Sequence, residues 1–209
     1  MAILKNGRNL GKLGDTTTYV LNGKIVTRLI GRSNKPISLP QKRVRLKTRL
    51  LSKFLNPIKE FIQVGYEEEG RRLALHAQNP AFAYNWRHGF KGEFPKISLD
   101  YRKILLTFGS MPVPKGVQVV VDRDGLLFSW DLQENVAGTH WSDQVMLMAY
   151  FPKLNKAIYL TAGTSRYKGK DLLSIFDIDH GEIAETYIAF IANDRKSISN
   201  SVYTGKVKW

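Results

Sequence analysis

The sequence predicts an α+β N-terminal region followed by an all-β sandwich. Two runs of β-prone residues flank an Asn-Gly pair near the N-terminus, and a helical pattern of apolar residues follows from residue 41. Seven short strand patterns then succeed one another after residue 112. We therefore expect two domains, a basic N-terminal module over residues 1–111 and a β-sandwich over residues 112–209.

Positive charge is concentrated at one end of the chain. The first 55 residues hold thirteen of the 32 basic residues and a single acidic residue, Asp15, whereas the remainder is nearly balanced. A pI near 9.9 favours anionic partners such as nucleic acid, an acidic membrane surface or an acidic protein face. A hydrophobic fraction of 43% is sufficient for a packed core.

Residues 1–14 combine glycines at positions 7, 11 and 14 with the cations Lys5, Arg8 and Lys12. Glycine raises the entropic cost of ordering a segment, so we expect a flexible basic arm. A phosphate-binding loop is disfavoured, because the dinucleotide fingerprint and the Gly-Lys-Ser/Thr of a P-loop are both absent.

A β-hairpin is predicted next. Its strands are Thr16 to Leu21 and Lys24 to Ile30, and Asn22-Gly23 supplies the two positive φ angles of a type I′ turn. Because an isolated hairpin is marginally stable in water, it must lie on its own domain or on a partner.

After a linker with two prolines, residues 31–40, the pattern becomes helical from Gln41. Large apolar residues recur at spacings of three and four, which predicts one buried stripe. The other face carries only positive charge as far as Lys53, on Lys42, Arg43, Arg45, Lys47, Arg49 and Lys53. An ordinary solvated helix face usually mixes both signs, so this face is a candidate binding surface for phosphates or an acidic protein.

The helix is interrupted at Asn56-Pro57, and an acidic run at residues 67–69 followed by Gly70 should end the region. A second helix is predicted from Pro80 to Phe90, followed by one or two strands within residues 97–108. The aromatic residues Tyr84, Trp86 and Phe90 suit either base stacking or core packing, and core packing is the commoner use of aromatics at helical spacing. A glycine and two prolines at residues 109–114 predict the domain boundary.

The remaining hundred residues have the pattern of an immunoglobulin-like sandwich, with short strands separated by turn residues. The predicted strands cover Val117–Val121, Leu126–Asp131, Gln144–Tyr150, Lys156–Ala162, Asp171–Phe176, Thr186–Ala192 and Ser201–Val207.

Two aromatic residues give this half a more specific likeness. Trp130 lies in the second predicted strand, and Tyr187 lies near the start of the sixth, in the position of a corner tyrosine whose hydroxyl bonds back to the chain. With a proline-rich entry before its first strand, the C-terminal half resembles a fibronectin type III domain.

The whole chain also resembles a bacterial family of about 200 residues with no assigned function. The matching segments are residues 5–7, 23–24, 54–62, 92–95, 100–101, 109–110 and 199–203. The resemblance implies a basic N-terminal region joined to an immunoglobulin-like module, and it implies no catalytic residues.

Motifs for catalysis are weak. The chain has no cysteine, its four histidines form no HExxH pair, and G-x-S-x-G is absent. The acidic segment Asp177 to Glu182 suits either a hard cation or a turn between strands, and the turn is the commoner use. We therefore expect no enzyme activity and no cofactor, and the sequence reveals no small-molecule substrate.

The sequence lacks an apolar run long enough for a transmembrane helix and lacks the pattern of a secretory signal, so we expect a cytoplasmic or particle-associated protein. The favoured function is that of a non-enzymatic binding or assembly protein, a subunit of a larger particle whose basic N-terminal part holds an acidic or polyanionic partner. A glycine-rich arm and a hairpin without a core suit chains that order on a neighbouring protein or on another copy. The alternative is an accessory protein associated with nucleic acid.

Overall fold

The structure is a computed structural model, and it describes residues 2–5, 7–31, 35–132 and 136–209. The chain divides after Ser38 into two compact units, Met1–Ser38 and Leu39–Trp209. The boundary predicted between Met111 and Pro112 lies inside the second unit. Residues 32–34 of the predicted linker lie outside the described residues.

The first unit is one antiparallel sheet of four strands in sequence order. The strands are β1 (Ala2–Lys5), β2 (Arg8–Leu13), β3 (Thr16–Leu21) and β4 (Lys24–Leu29). The predicted hairpin is confirmed as β3 and β4, with Asn22 and Gly23 at φ angles of 49° and 75°.

The expectation of a flexible arm is wrong for the described part of residues 1–14, which forms β1 and β2. Gly7 and Gly14 have φ angles of 70° and 58° and lie in the two turns that connect β1 to β2 and β2 to β3. These glycines therefore allow tight turns between strands, and glycine content alone did not distinguish that use from flexibility.

The second unit begins with four helices. They are α1 (Leu39–Leu55), α2 (Lys59–Gly65), α3 (Glu67–Leu73) and α4 (Gln78–His88). α1 starts two residues before the predicted position, with Pro40 in its first turn, where a missing N–H costs nothing. The predicted interruption at Asn56-Pro57 is confirmed as a short 3-10 helix, Asn56–Ile58.

The acidic run at residues 67–69 does not end the helical region as expected but starts α3. Its carboxylates lie in the first turn of the helix, where the helix dipole favours negative charge. Arg71 pairs with Glu67 and Glu68, and Arg72 pairs with Glu69 at 2.7 Å. These i,i+3 and i,i+4 pairs support a helix that the acidic residues alone did not suggest.

The strand prediction for residues 97–108 is mostly wrong. Two residues, Ser98–Leu99 (β6), pair with Phe90–Lys91 (β5), and a short 3-10 helix, Tyr101–Lys103, follows. After this 3-10 helix, a side chain takes the place of a partner strand. The Asn85 amide oxygen accepts a hydrogen bond from the Leu105 N–H, and the Asn85 amide nitrogen donates to the Leu105 carbonyl, each at 2.8 Å. Satisfied in this way, the backbone needs no sheet.

All seven C-terminal strands are confirmed within a few residues. They are β7 (Gln118–Asp122), β8 (Gly125–Ser129), β9 (Gln144–Phe151), β10 (Lys156–Leu160), β11 (Lys170–Ser174), β12 (Ile183–Ile191) and β13 (Val202–Lys208). They form two antiparallel sheets, one in the order β10-β9-β12-β13 and one in the order β11-β8-β7.

The second unit has three layers, with the four-stranded sheet in the middle. One face of this sheet shares a core with the three-stranded sheet, through Leu147 and Phe190 against Leu126 and Phe128. Its other face, including Tyr150, packs against the helices. β9 and β12 are consequently buried on both faces, which explains their nearly continuous apolar sequences.

Trp130 and Tyr187 have different structural roles. Trp130 follows β8 and donates its indole N–H to the Arg166 carbonyl at 2.8 Å, and its ring contacts Phe190 edge-on. The Tyr187 hydroxyl donates to a backbone oxygen, but that oxygen belongs to Tyr101 in the helical layer, at 2.7 Å. Tyr187 thus ties the sheet to the layer that covers it rather than closing a local corner.

Within the described residues, no helix is long and apolar enough to cross a membrane.

Candidate functional site

The predicted cationic face of α1 exists and is exposed. Leu51, Phe54 and Leu55 are buried in the core between the helices and the sheet, so the helix is fixed by its apolar stripe. Five cations of the opposite face are exposed, and we call them the α1 basic face: Lys42, Arg43, Arg45, Arg49 and Lys53.

These five cations lack carboxylate neighbours. In the part of the chain that the structure describes, none of them forms an ion pair, whereas Arg71 and Arg72 of α3 both do. Arg45, Arg49 and Lys53 follow one another at i,i+4 spacing on adjacent turns, and like charges at that spacing cost a few tenths of a kcal/mol per pair. The face is therefore a concentrated positive surface that the protein does not neutralise by itself.

Lys47 differs from its neighbours. It is half-buried, and its ammonium lies 5.0 Å from the ring centre of Trp86 and 4.8 Å from that of Phe90. Both rings are partly buried and pack against the helical core. Of the predicted binding cations on α1, Lys47 is thus the one held by contacts inside the protein.

The N-terminal sheet has one basic and one uncharged face among its described side chains. The register of β2, β3 and β4 places Lys12, Lys24 and Arg28 on one face together with Tyr19, and the Arg28 guanidinium lies 5.5 Å from the Tyr19 ring centre. Lys5 and Arg8 are paired in the β1–β2 register, and their side chains lie outside the described residues.

Within the described residues, the opposite face of this sheet carries no charged residue and exposes four large apolar side chains beside the polar residues Asn9 and Thr27. Leu13 and Leu29 are 56% and 76% exposed, and Val20 and Ile25 pair on the same face. No described side chain of β1–β4 is buried. A single sheet with an uncovered apolar face lacks the second layer that stable domains need, so this face is suited to contact with another surface.

A polar cleft in the second unit was missed by the sequence analysis. We call it the Glu185 cleft, and it has a volume of about 660 Å³. It lies between the β5–β6 hairpin with its following 3-10 helix on one side and β12 and β13 on the other. Its lining residues are Lys91, Ser98, Leu99, Asp100, Tyr101, Arg102, Glu185, Tyr203, Gly205 and Lys206.

A β-bulge assembles the floor of this cleft. The β12–β13 register pairs Glu185 with Lys206 and Tyr187 with Tyr203, with a shift between Thr186 and Tyr187. In a regular strand, residues three apart point to opposite faces, but the extra residue of the bulge turns Tyr203 and Lys206 to the same face. Gly205, at φ 116°, supplies the backbone conformation that this shift uses.

Glu185 is a buried carboxylate held by these two residues. It is 2% exposed, and its Oε2 accepts a hydrogen bond of 2.6 Å from the Tyr203 hydroxyl. Its Oε1 lies 3.6 Å from the ammonium of Lys206, whose side chain is 67% exposed. Desolvation and the hydrogen bond to Glu185 raise the pKa of Tyr203 above its usual range, and desolvation likewise raises the pKa of Tyr101.

The acidic segment Asp177 to Glu182 lies in the connection between β11 and β12. Glu182 pairs with Lys153 at 2.7 Å. Across the described ranges of the chain, no group of three or more histidine or acidic side chains is placed to hold a metal ion. The segment is therefore a loop whose one described ion pair joins it to the turn after β9.

Comparison with known proteins identifies one family. A family described as a family of unknown function, DUF6266, matches residues 21–205. No curated protein and no solved structure matches the chain.

Proposed function

We propose that this chain, which belongs to the DUF6266 family of unknown function, is a non-enzymatic binding or assembly protein that holds an acidic or polyanionic partner. The observation that carries this proposal is the α1 basic face, five exposed cations without an ion pair among the described residues. The partner is a protein with an acidic surface, and the assembly is a larger particle in which this chain is one subunit.

The α1 basic face has the physical properties of an anchoring surface. α1 is fixed by burial of its apolar stripe, so its cations are presented on a rigid backbone that does not have to be ordered when they bind. An acidic partner would relieve the repulsion between neighbouring cations and add favourable pairs. Such contacts mainly speed association and weaken as salt rises.

The N-terminal sheet adds a second contact surface to the proposal. Its basic face repeats the charge of α1, and its uncharged face is exposed at Leu13 and Leu29. A sheet that lacks a second layer gains stability when another surface covers it, which fits a subunit that becomes fully ordered on assembly.

The second unit is proposed to be a fibronectin type III-like scaffold that supports these surfaces. Support comes from its seven strands in three- and four-stranded antiparallel sheets that share one core. Sandwiches of this kind serve many functions, so it is the charged surfaces and not the fold that support binding.

A second candidate function is association with nucleic acid. The observation that favours it is Tyr19 beside Arg28 on the basic face of the N-terminal sheet. Tyr19 is partly exposed, and an accessible aromatic ring among cations on a sheet is a common platform for stacking bases of single strands.

A salt titration with two kinds of probe separates the two functions. Binding of the full chain is measured by fluorescence anisotropy to poly-L-glutamate and to random-sequence single-stranded RNA and DNA. The proposal expects poly-L-glutamate to compete with the nucleic acids, and all affinities to fall steeply with salt. RNA or DNA binding that poly-L-glutamate cannot displace would favour the second function, and no binding to any probe at low salt would overturn both.

A further inference from the structure

We propose that the Glu185 cleft is a binding site for a small hydroxylated anion, such as a sugar acid, independent of the charged surfaces discussed above. A ligand of this class carries hydroxyl groups that donate to the carboxylates of the cleft and one anionic group that its cations hold. The volume of about 660 Å³ lies within the range of roughly 300–1,000 Å³ typical of small-molecule sites.

The buried carboxylate of Glu185 provides the first argument. Oε2 is satisfied by Tyr203, but Oε1 makes no hydrogen bond to any described residue, and its nearest cation is 3.6 Å away. A desolvated carboxylate is costly unless donors surround it, and apolar residues of similar volume are commonly as stable or more stable at such positions. An acceptor that is held in place by its neighbour Oε2 and lies in the wall of a cleft suits a donating hydroxyl group of a ligand.

The bulge provides the second argument. A regular β13 would not direct both Tyr203 and Lys206 toward Glu185, and the shift of register places them together. Bulges recur beside binding and active sites because they redirect a side chain. The position of Tyr203 is also fixed by its ring contact with Tyr187, whose centre lies 5.3 Å away.

The cations on the opposite wall of the cleft favour a ligand with an anionic group. Lys91 and Arg102 are exposed at the rim, and neither forms an ion pair within the described residues. Asp100 lines the same wall and adds a second acceptor for hydroxyl groups. The rings of Tyr101 and Tyr203 supply the flat apolar surface that packs against the carbon skeleton of a sugar ring.

Three probes test this assignment on the full chain by isothermal titration calorimetry. D-glucuronate carries both hydroxyl groups and an anion, D-glucose carries hydroxyl groups alone, and acetate carries the anion alone. We expect D-glucuronate to bind at least about tenfold more tightly than either, because it is the probe of the three that engages both the carboxylates and the cations of the cleft. Equal affinities for the three probes, or no binding of D-glucuronate, would overturn the assignment.

Three variants locate the binding. Arg102→Ala should weaken D-glucuronate about tenfold and leave D-glucose unchanged, whereas Lys103→Ala, next to it but outside the lining, should change neither. Glu185→Gln should weaken both probes if the variant folds. The assignment fails if Arg102→Ala and Lys103→Ala have the same affinity, and this comparison stands even where Glu185→Gln does not fold.

Discussion

The two units of this chain bury the side chains of their β-sheets to very different extents. In the second unit, the central strands β9 and β12 are covered on both faces, by helices on one side and by a second sheet on the other. In the first unit, four strands form one hydrogen-bonded antiparallel sheet, yet no described side chain of the sheet is buried.

The difference shows that a hydrogen-bonded sheet is not by itself a stable domain. Backbone hydrogen bonds contribute modestly to net stability because the unfolded chain bonds to water, and burial of apolar surface supplies most of the rest. We therefore assign most of the stability of the chain to its second unit.

The largest expected effect lies in the helical layer. Phe54→Ala removes a fully buried ring that contacts Tyr150 of the sheet at a centroid distance of 4.7 Å, and it should cost about 3–5 kcal/mol. Leu29→Ala, in the N-terminal sheet, should change the free energy of unfolding by less than about 0.5 kcal/mol. Urea unfolding followed by circular dichroism measures both, and a cost at Leu29 similar to that at Phe54 would contradict the comparison.

The second largest expected effect is a lower free energy of unfolding of the second unit at alkaline pH. Burial raises the pKa of Tyr66 and of Tyr187 above the ordinary value near 10, so the folded protein keeps both protons longer than the unfolded chain. Their contribution is fully present below pH about 10 and is lost as the pH rises, by about 1.4 kcal/mol per pH unit for each tyrosine. Urea unfolding at a series of pH values measures this slope, and a free energy of unfolding that stays constant above pH about 10 would be inconsistent with buried hydroxyls.

Substitution of one glycine in each unit tests the difference in stability between the units. Gly205 in the bulge and Gly14 in a turn of the first unit both have positive φ, and an added Cβ would meet nothing within 4 Å at either position. Gly205→Ala should lower the free energy of unfolding by about 1–2 kcal/mol through backbone strain alone, whereas Gly14→Ala should leave the main unfolding transition in place. Differential scanning calorimetry measures the unfolding transitions of both variants. An equal decrease in the stability of the main transition would indicate that the two units unfold together.

The smallest expected effect is a difference in stability between variants of two α1 cations. Lys47→Gln should lower stability by about 0.5–1 kcal/mol, because its ammonium contacts Trp86 and Phe90. Arg45→Gln removes an exposed cation without such contacts and should leave stability unchanged or slightly raised. Thermal unfolding distinguishes the two, and an equal loss from both variants would argue against a structural role for Lys47.

The sequence predicted elements whose signal is local. The seven C-terminal strands follow from short β-prone runs separated by turn residues. The β3–β4 hairpin follows from Asn22-Gly23, and α1 follows from apolar spacing. What it missed depends on distant contacts. The segment after Tyr101 is held by the Asn85 side chain in place of a strand, and the double burial of β9 and β12 requires the helices to lie on the sheet.

The same distinction applies to the candidate sites. The α1 basic face could be predicted because helical spacing places its cations together. The Glu185 cleft could not, because it joins Glu185 to Arg102 and Lys206 across the fold and depends on a shifted register. A glycine within a predicted strand, Gly205, is a weak signal of a bulge, and it was the one local indication available.

The central claim is tested most directly by removing the α1 basic face and comparing the result with a control variant of the same net charge. One variant replaces Lys42, Arg43, Arg45, Arg49 and Lys53 with glutamine, and its control replaces the five exposed cations Lys103, Lys115, Lys156, Lys168 and Lys208. The salt dependence of poly-L-glutamate binding is compared for both. We predict that the plot of log affinity against log salt becomes shallower by up to about five units for the α1 variant and changes little for the control, because each of the five lost contacts removes about one unit of slope. Equal losses in the two variants would show that binding follows net charge alone, and the α1 basic face would not be the anchor.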